Sequence, residues 1–182
     1  MRIYSSALVA SLFGALILSA CSPAQNWRDV AFEGSALKVQ LPCKPDRTNR
    51  SVPLGGVPVE LQVVGCESGT AMVAVMSAAL PVGSDASAVM AAWQKATLGN
   101  ARVIQPLAAG QQQAWHRPGQ LHLATSLRVQ APGLRANGEP VNMDAVWGAV
   151  AEGERVRLLH AVVYDRKIEA ELANTLFDGI KP

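Results

Sequence analysis

The stretch AVWGAVAEGERVRLLHAVVY, residues 145–164, decides the fold class. Residues 145–151 and 155–164 are two apolar runs of strand length, separated by Glu152-Gly153-Glu154. A short polar break around Gly between such runs is a tight turn, so the pair reads as an antiparallel hairpin. In the second run Val156, Leu158, Val162 and Tyr164 recur on one face, with Arg155 and Arg157 on the other. That spacing matches the period of a strand and not that of a helix.

Working outward, strand signals dominate residues 102–164. Residues 102–105 and 111–116 are short candidates, and Leu121, Leu123, Leu127 and Val129 predict one long alternating strand. Residues 133–142 are polar and contain Gly and Pro, which predicts a loop or a wide hairpin end. Toward the N-terminus, Leu37, Val39 and Leu41 alternate in a half-buried strand that Pro42 ends. Residues 47–52 and 58–66 form the arms of an N-terminal hairpin around Gly55-Gly56, a strong two-residue turn signal. Residues 70–79, bounded by Gly69 and Pro81, read as a central strand buried on both faces. Two segments carry helical spacing. Residues 84–99 place Ala86, Val89, Met90, Trp93 and Ala96 on one stripe, with Ser84 as cap and Gly99 or Asn100 as terminator. Residues 166–178 do the same with Ile168, Leu172, Ala173, Leu176 and Phe177, behind Asp165 as cap. The expected fold is therefore α+β, an antiparallel sheet with two main helices packed on it.

The beginning of the chain has a different logic. Arg2 precedes an apolar run, residues 7–20, that closes in Leu18-Ser19-Ala20-Cys21. A basic start, an apolar stretch and small residues before a cut site make a signal peptide. The run falls short of the roughly 20 residues of a spanning helix. Leu18-Ser19-Ala20-Cys21 resembles the lipobox of bacterial lipoproteins. The resemblance implies that residues 1–20 are removed and that Cys21 becomes a lipidated first residue, with palmitate among the expected acyl chains. Ser22, where Asp would signal retention, implies the periplasmic face of the outer membrane. Residues 21–26 then form a short tether and 27–182 a single domain.

Of three cysteines, Cys43 and Cys66 remain, an even pair in an oxidising compartment, so a disulfide is expected. With Leu54 opposite Val57, paired numbers add to 111, whereas Cys43 and Cys66 add to 109. A small bulge near Pro45 would bring them together, with two buried thiols as the alternative. Without residues 1–20 the chain carries 15 Lys and Arg against 14 Asp and Glu, so nothing points to nucleic acid.

The segment Leu37-Lys38-Val39-Gln40-Leu41-Pro42-Cys43-Lys44-Pro45 resembles a recurrent opening motif of PsbP-like and DcrB-like α/β/α sandwich proteins. Ala79-Leu80-Pro81 before the first helix, and residues 173–181 at the close, fit the same pattern. The resemblance implies the sandwich fold and frequent export or lipid anchoring. It carries no catalytic residue to transfer. Cys43 stands where Gly is more usual, which favours the disulfide.

Chemistry is sparse. If Pro118-Gly119 centres a hairpin, His116 and His122 project to opposite faces and share no metal. His160 is isolated on a strand, and no zinc spacing, nucleophile elbow or phosphate loop is present. Glu169 and Glu171 are two apart on a helix and do not face each other. Lys44, Arg47 and Arg50 form a basic cluster that reads as solvated surface, with anionic lipid or an envelope polymer as the other reading. Trp93 reads as core. No catalytic residue, metal ligand or cofactor is expected, and the ligand-binding residues are unknown. The expectation is a lipid-anchored, non-enzymatic envelope protein that binds or positions a protein or cell-wall partner. A small periplasmic hydrolase with an unrecognised site and a carrier of an apolar ligand are the alternatives.

Overall fold

A computed structural model describes residues 25–182, so the expected signal peptide and Cys21 lie outside the described residues. Along the chain come β1 (Arg28–Ala31), β2 (Lys38–Leu41), β3 (Asp46–Leu54), β4 (Val57–Ser68) and β5 (Ala71–Ala79). Helix α1 (Ala86–Asn100) follows, then β6 (Gln112–Ala114), β7 (Leu127–Leu134), β8 (Pro140–Glu152), β9 (Arg155–Asp165) and α2 (Ala170–Asp178). Strands β3 to β9 make one sheet in the order β3-β4-β5-β9-β8-β7-β6, with every pairing antiparallel. β1 and β2 form a separate two-stranded ribbon. The architecture is α+β with two helices, as the alternating runs imply.

The β8–β9 hairpin stands near the middle, its register running from Asn142↔Asp165 to Glu152↔Arg155. Both its faces are buried, because each face of the sheet carries its own apolar core. On one face Val73, Val75, Val146 and Leu159 pack against α2 and the β1–β2 ribbon. On the other, Ala78, Trp147, Leu158 and Val162 pack against α1 and the far end of the β3–β4 hairpin. Sequence alternation put Arg155 and Arg157 on a face opposite the apolar one. That opposite face is buried as well, since Leu159, Ala161 and Val163 lie on it fully covered. Arg157 is itself buried, with Nε donating to Glu152 Oε1 at 2.8 Å and Nη1 to Ser77 Oγ at 3.3 Å.

The N-terminal hairpin turns at Gly55-Gly56, both at positive φ, and its ladder runs unbroken from Leu54↔Val57 to Asp46↔Gly65. Cys43 and Cys66 are joined by a disulfide with their Cα atoms 6.0 Å apart. No bulge is needed. Cys43 lies beyond the ladder, in the connection from β2 to β3, and that connection absorbs the offset. The bridge therefore ties the exit of the ribbon to the sheet.

Several boundaries shift for local reasons. Asp85 caps α1, accepting from Ala88 N at 3.0 Å, while Ser84 Oγ donates to Pro81 O. The left-handed residue after α1 is Arg102, not Gly99 or Asn100. Helix α2 begins at Ala170 because Asp165 serves the preceding bend, accepting from Thr70 Oγ1 and from the Arg166 amide. Ile168 packs on the core from that extended lead-in. Residues 102–105 form no strand, and the long strand expected from Leu121 begins only at Leu127. Residues 115–126 instead form a loop beside the half of β8 that outruns β7, fastened by Leu121 N donating to Ala149 O at 2.8 Å. No helix among the described residues is long and apolar enough to cross a membrane.

Candidate functional site

In an antiparallel meander alternate turns fall at the same end of the sheet. The β4–β5 turn, the β7–β8 loop and the lead-in to α2 share one end, where they enclose an open cleft of about 680 Å³. Glu67, Thr70, Arg135, Glu139, Asp165, Arg166, Lys167 and Glu169 line it, and so does Gln25, at the start of the described chain. A ladder of polar contacts holds the walls together. Thr70 Oγ1 donates to Asp165 Oδ2 at 2.9 Å, and Arg135 Nη2 donates to Thr70 O at 3.3 Å. Arg166 pairs with Glu139, and Asn142 Nδ2 donates to Arg166 O at 2.7 Å. The hydrogen bond and charge of Arg166 hold the Glu139 carboxyl below its ordinary pKa. Arg135 Nε is buried with no partner among the described residues. The cleft thus offers fixed charges of both signs. The Thr70 hydroxyl is committed to Asp165, whose other oxygen accepts from the Arg166 amide. Sequence reasoning did not assemble this cleft, although Gly69 and Asn137-Gly138 marked the turns that build it.

The histidines are placed differently from expectation. Residues 115–122 form no ladder around Pro118-Gly119, and the rings of His116 and His122 stack with centroids 4.5 Å apart. They therefore lie together and not on opposite faces. No cluster of three or more metal-ligating side chains occurs among the described residues. His160 is fully buried under α1, stacked on Trp147 at 4.4 Å and edge-on to Trp93 at 5.5 Å. Its Nδ1 lies 3.0 Å from Val146 O, the geometry of a neutral ring donating to that carbonyl. Burial pushes its pKa down to about 4. Trp93 is core, as its helical stripe implies.

The remaining candidates disperse. Arg47 and Arg50 are three apart on β3 and so point to opposite sides. Arg47 reaches back to the ribbon, donating to Ala31 O at 2.9 Å. Glu169 is the exposed N-cap residue of α2, and Glu171 sits in its first turn. The most constrained polar group is structural. Arg128 donates twice to the buried Asp144, at 2.8 and 2.6 Å, and once to Asn174 of α2 at 2.9 Å. Its guanidinium also covers the Phe177 ring at 5.0 Å, so it clamps α2 to the sheet. No family model and no curated protein matches the chain.

Proposed function

We propose that this chain is a bacterial lipoprotein whose domain, residues 27–182, is held by a lipidated Cys21 at the periplasmic face of the outer membrane. There it binds or positions a protein or cell-wall partner without catalysing a reaction. The observation that carries the reading is the lipobox Leu18-Ser19-Ala20-Cys21 standing four residues ahead of Gln25, where the described chain meets the fold. A PsbP-like identity for the domain is consistent with an antiparallel sheet that has a helix on each face. The binding role is supported by how polar side chains are used. Arg128, Asp144, Arg157 and Glu152 join elements to one another, and His160 is sealed from any substrate.

Mass measurement on the protein isolated from native membranes tests the anchor. The expected species starts at Cys21 and carries acyl chains, and Cys21→Ser releases the domain to the soluble fraction. A chain that retains residues 1–20 overturns the anchor. Crosslinking in cells tests the role, with Cys21→Ser as control. One dominant anchor-dependent envelope partner is expected. Turnover of an envelope substrate, lost on a single substitution, would instead establish an enzyme, and lipid retained by the delipidated domain would establish a carrier.

A further inference from the structure

We infer that the cleft at the Gln25 end is a membrane-facing surface that docks on phospholipid headgroups carrying both a phosphate and a primary ammonium. This rests on the anchoring of Cys21 proposed above. Gln25 lines the cleft, and Ser22 to Gln25 span at most about 14 Å when extended. A lipid on Cys21 therefore brings this end of the sheet, and not the end carrying Gly55-Gly56 and Gly153, to the bilayer surface. Trp27, partly buried beside the same terminus, donates its indole N–H to Gln25 Oε1. An amphipathic ring of this kind is at home at headgroup level.

The charges select the headgroup. Arg166 and Glu139 satisfy each other. Arg135 and Lys167, Glu67 and Glu169 form no ion pair among the described residues. Asp165, the remaining carboxylate of the cleft, is buried and held by the Thr70 hydroxyl and the Arg166 amide, and Arg135 also donates to Thr70 O. The rim thus presents two cations and two carboxylates outside any ion pair of the described residues. The two cations match a phosphate. The two carboxylates match an ammonium that can donate hydrogen bonds. A purely anionic headgroup would satisfy the cations and repel the carboxylates. A quaternary ammonium would satisfy the phosphate partners and offer the carboxylates no donor.

The test supplies the anchor chemically. With Cys43 and Cys66 in their disulfide, Cys21 is the one free thiol of the chain from residue 21 to 182. It is coupled to a maleimide lipid in vesicles of phosphatidylcholine alone, with added phosphatidylethanolamine, or with added phosphatidylglycerol. Amide hydrogen exchange then reads the protein surface. The expected result is slowing of about threefold or more in residues 67–70, 135–139 and 166–169, largest with phosphatidylethanolamine, and no change at the opposite turns. Two paired variants, Arg135→Gln with Lys167→Gln and Glu67→Gln with Glu169→Gln, should each lose the phosphatidylethanolamine preference. Slowing at the opposite turns, or none at the cleft, overturns the membrane-facing surface and leaves the cleft to a protein partner. Equal slowing with all three lipids overturns the headgroup match. Because coupling is chemical, the outcome does not depend on lipidation in the cell, which the mass measurement reads separately.

Discussion

His160 shows how much a single side chain can be asked to carry. Its ring is fully buried between two tryptophans, with Nδ1 bonded to Val146 O and Nε2 without a partner among the described residues. A proton on Nε2 would create a charge there with nothing to compensate it, which is why burial takes the pKa to about 4. In the unfolded chain the same group titrates near 6.5. Above that value the ring is neutral in both states and pH does not matter. As pH falls from 6.5 toward 4, only the unfolded chain takes up the proton, so stability is lost through that window. The loss amounts to about 2–3 kcal/mol by pH 4.5. His160→Phe keeps a flat ring against Trp147 and removes the titration. It should be less stable than the parent at pH 7, by about 1 kcal/mol for the lost hydrogen bond. The difference should shrink or reverse at pH 4.5. Urea midpoints of both proteins at the two pH values check this. A difference that stays constant would show that His160 is protonated in the fold or reached by water. Sequence could identify His160 as a lone strand histidine, but not its stacking. The Trp93 contact depends on where α1 lies over the sheet, and no local pattern encodes that.

At the scale of elements, the disulfide is the clearest lever. It closes a loop between residues 23 apart and links the ribbon to the sheet. Cross-linking a loop of that length stabilises the fold by about 3 kcal/mol through the unfolded chain. Cys43→Ala with Cys66→Ala should lower the unfolding free energy by that amount, and reduction of the parent should reproduce the drop. A loss under about 1 kcal/mol would mean that burial of Val39 and Leu41 alone holds the ribbon. The pairing was legible because the even pair of remaining cysteines and the hairpin register pointed to the same two residues. Most strands were legible for a similar reason: alternation and turn residues agreed at Gly55-Gly56 and at Gly153. Reading failed where two chemistries share one pattern. Leu121 and Leu123 alternate like a strand, yet they cover the sheet from a loop. Asp165 looks like a helix cap, but Thr70 claims its carboxylate across 95 residues of sequence, a contact only the folded sheet creates. The cleft was harder still. Its charges come from separate turns, and only the strand order brings those turns to one end.

For the whole molecule, the two cores imply an uneven distribution of stability. Strands β5, β9 and β8 contribute to both cores and have a hydrogen-bonded neighbour on each side, so opening any of them disrupts everything packed on them. Residues 115–126 are the opposite case. The loop holds seven of the ten buried side-chain polar atoms that lack a partner among the described residues, including both amide atoms of Gln120 and the hydroxyl of Ser126. Each such group costs about 1–3 kcal/mol where water does not reach it. Opening the loop returns these groups to solvent, which offsets much of the loss of Trp115 and Leu121 packing. The loop should therefore open locally at a free energy well below that of global unfolding. Hydrogen exchange on the intact domain should show residues 115–126 exchanging about a hundredfold or more faster than the central amides of β9. Gly148→Ala should widen this gap. Its new Cβ would stand 2.8 Å from Trp115 Cζ3 and 2.9 Å from Gln120 Oε1, pushing the loop outward while β8 itself stays paired to β9. If the loop instead exchanges as slowly as β9, its polar atoms are satisfied by ordered water and the segment is a full member of the core. In that case Gly148→Ala would destabilise the entire domain, and a single unfolding transition would shift with the loop and β9 moving together.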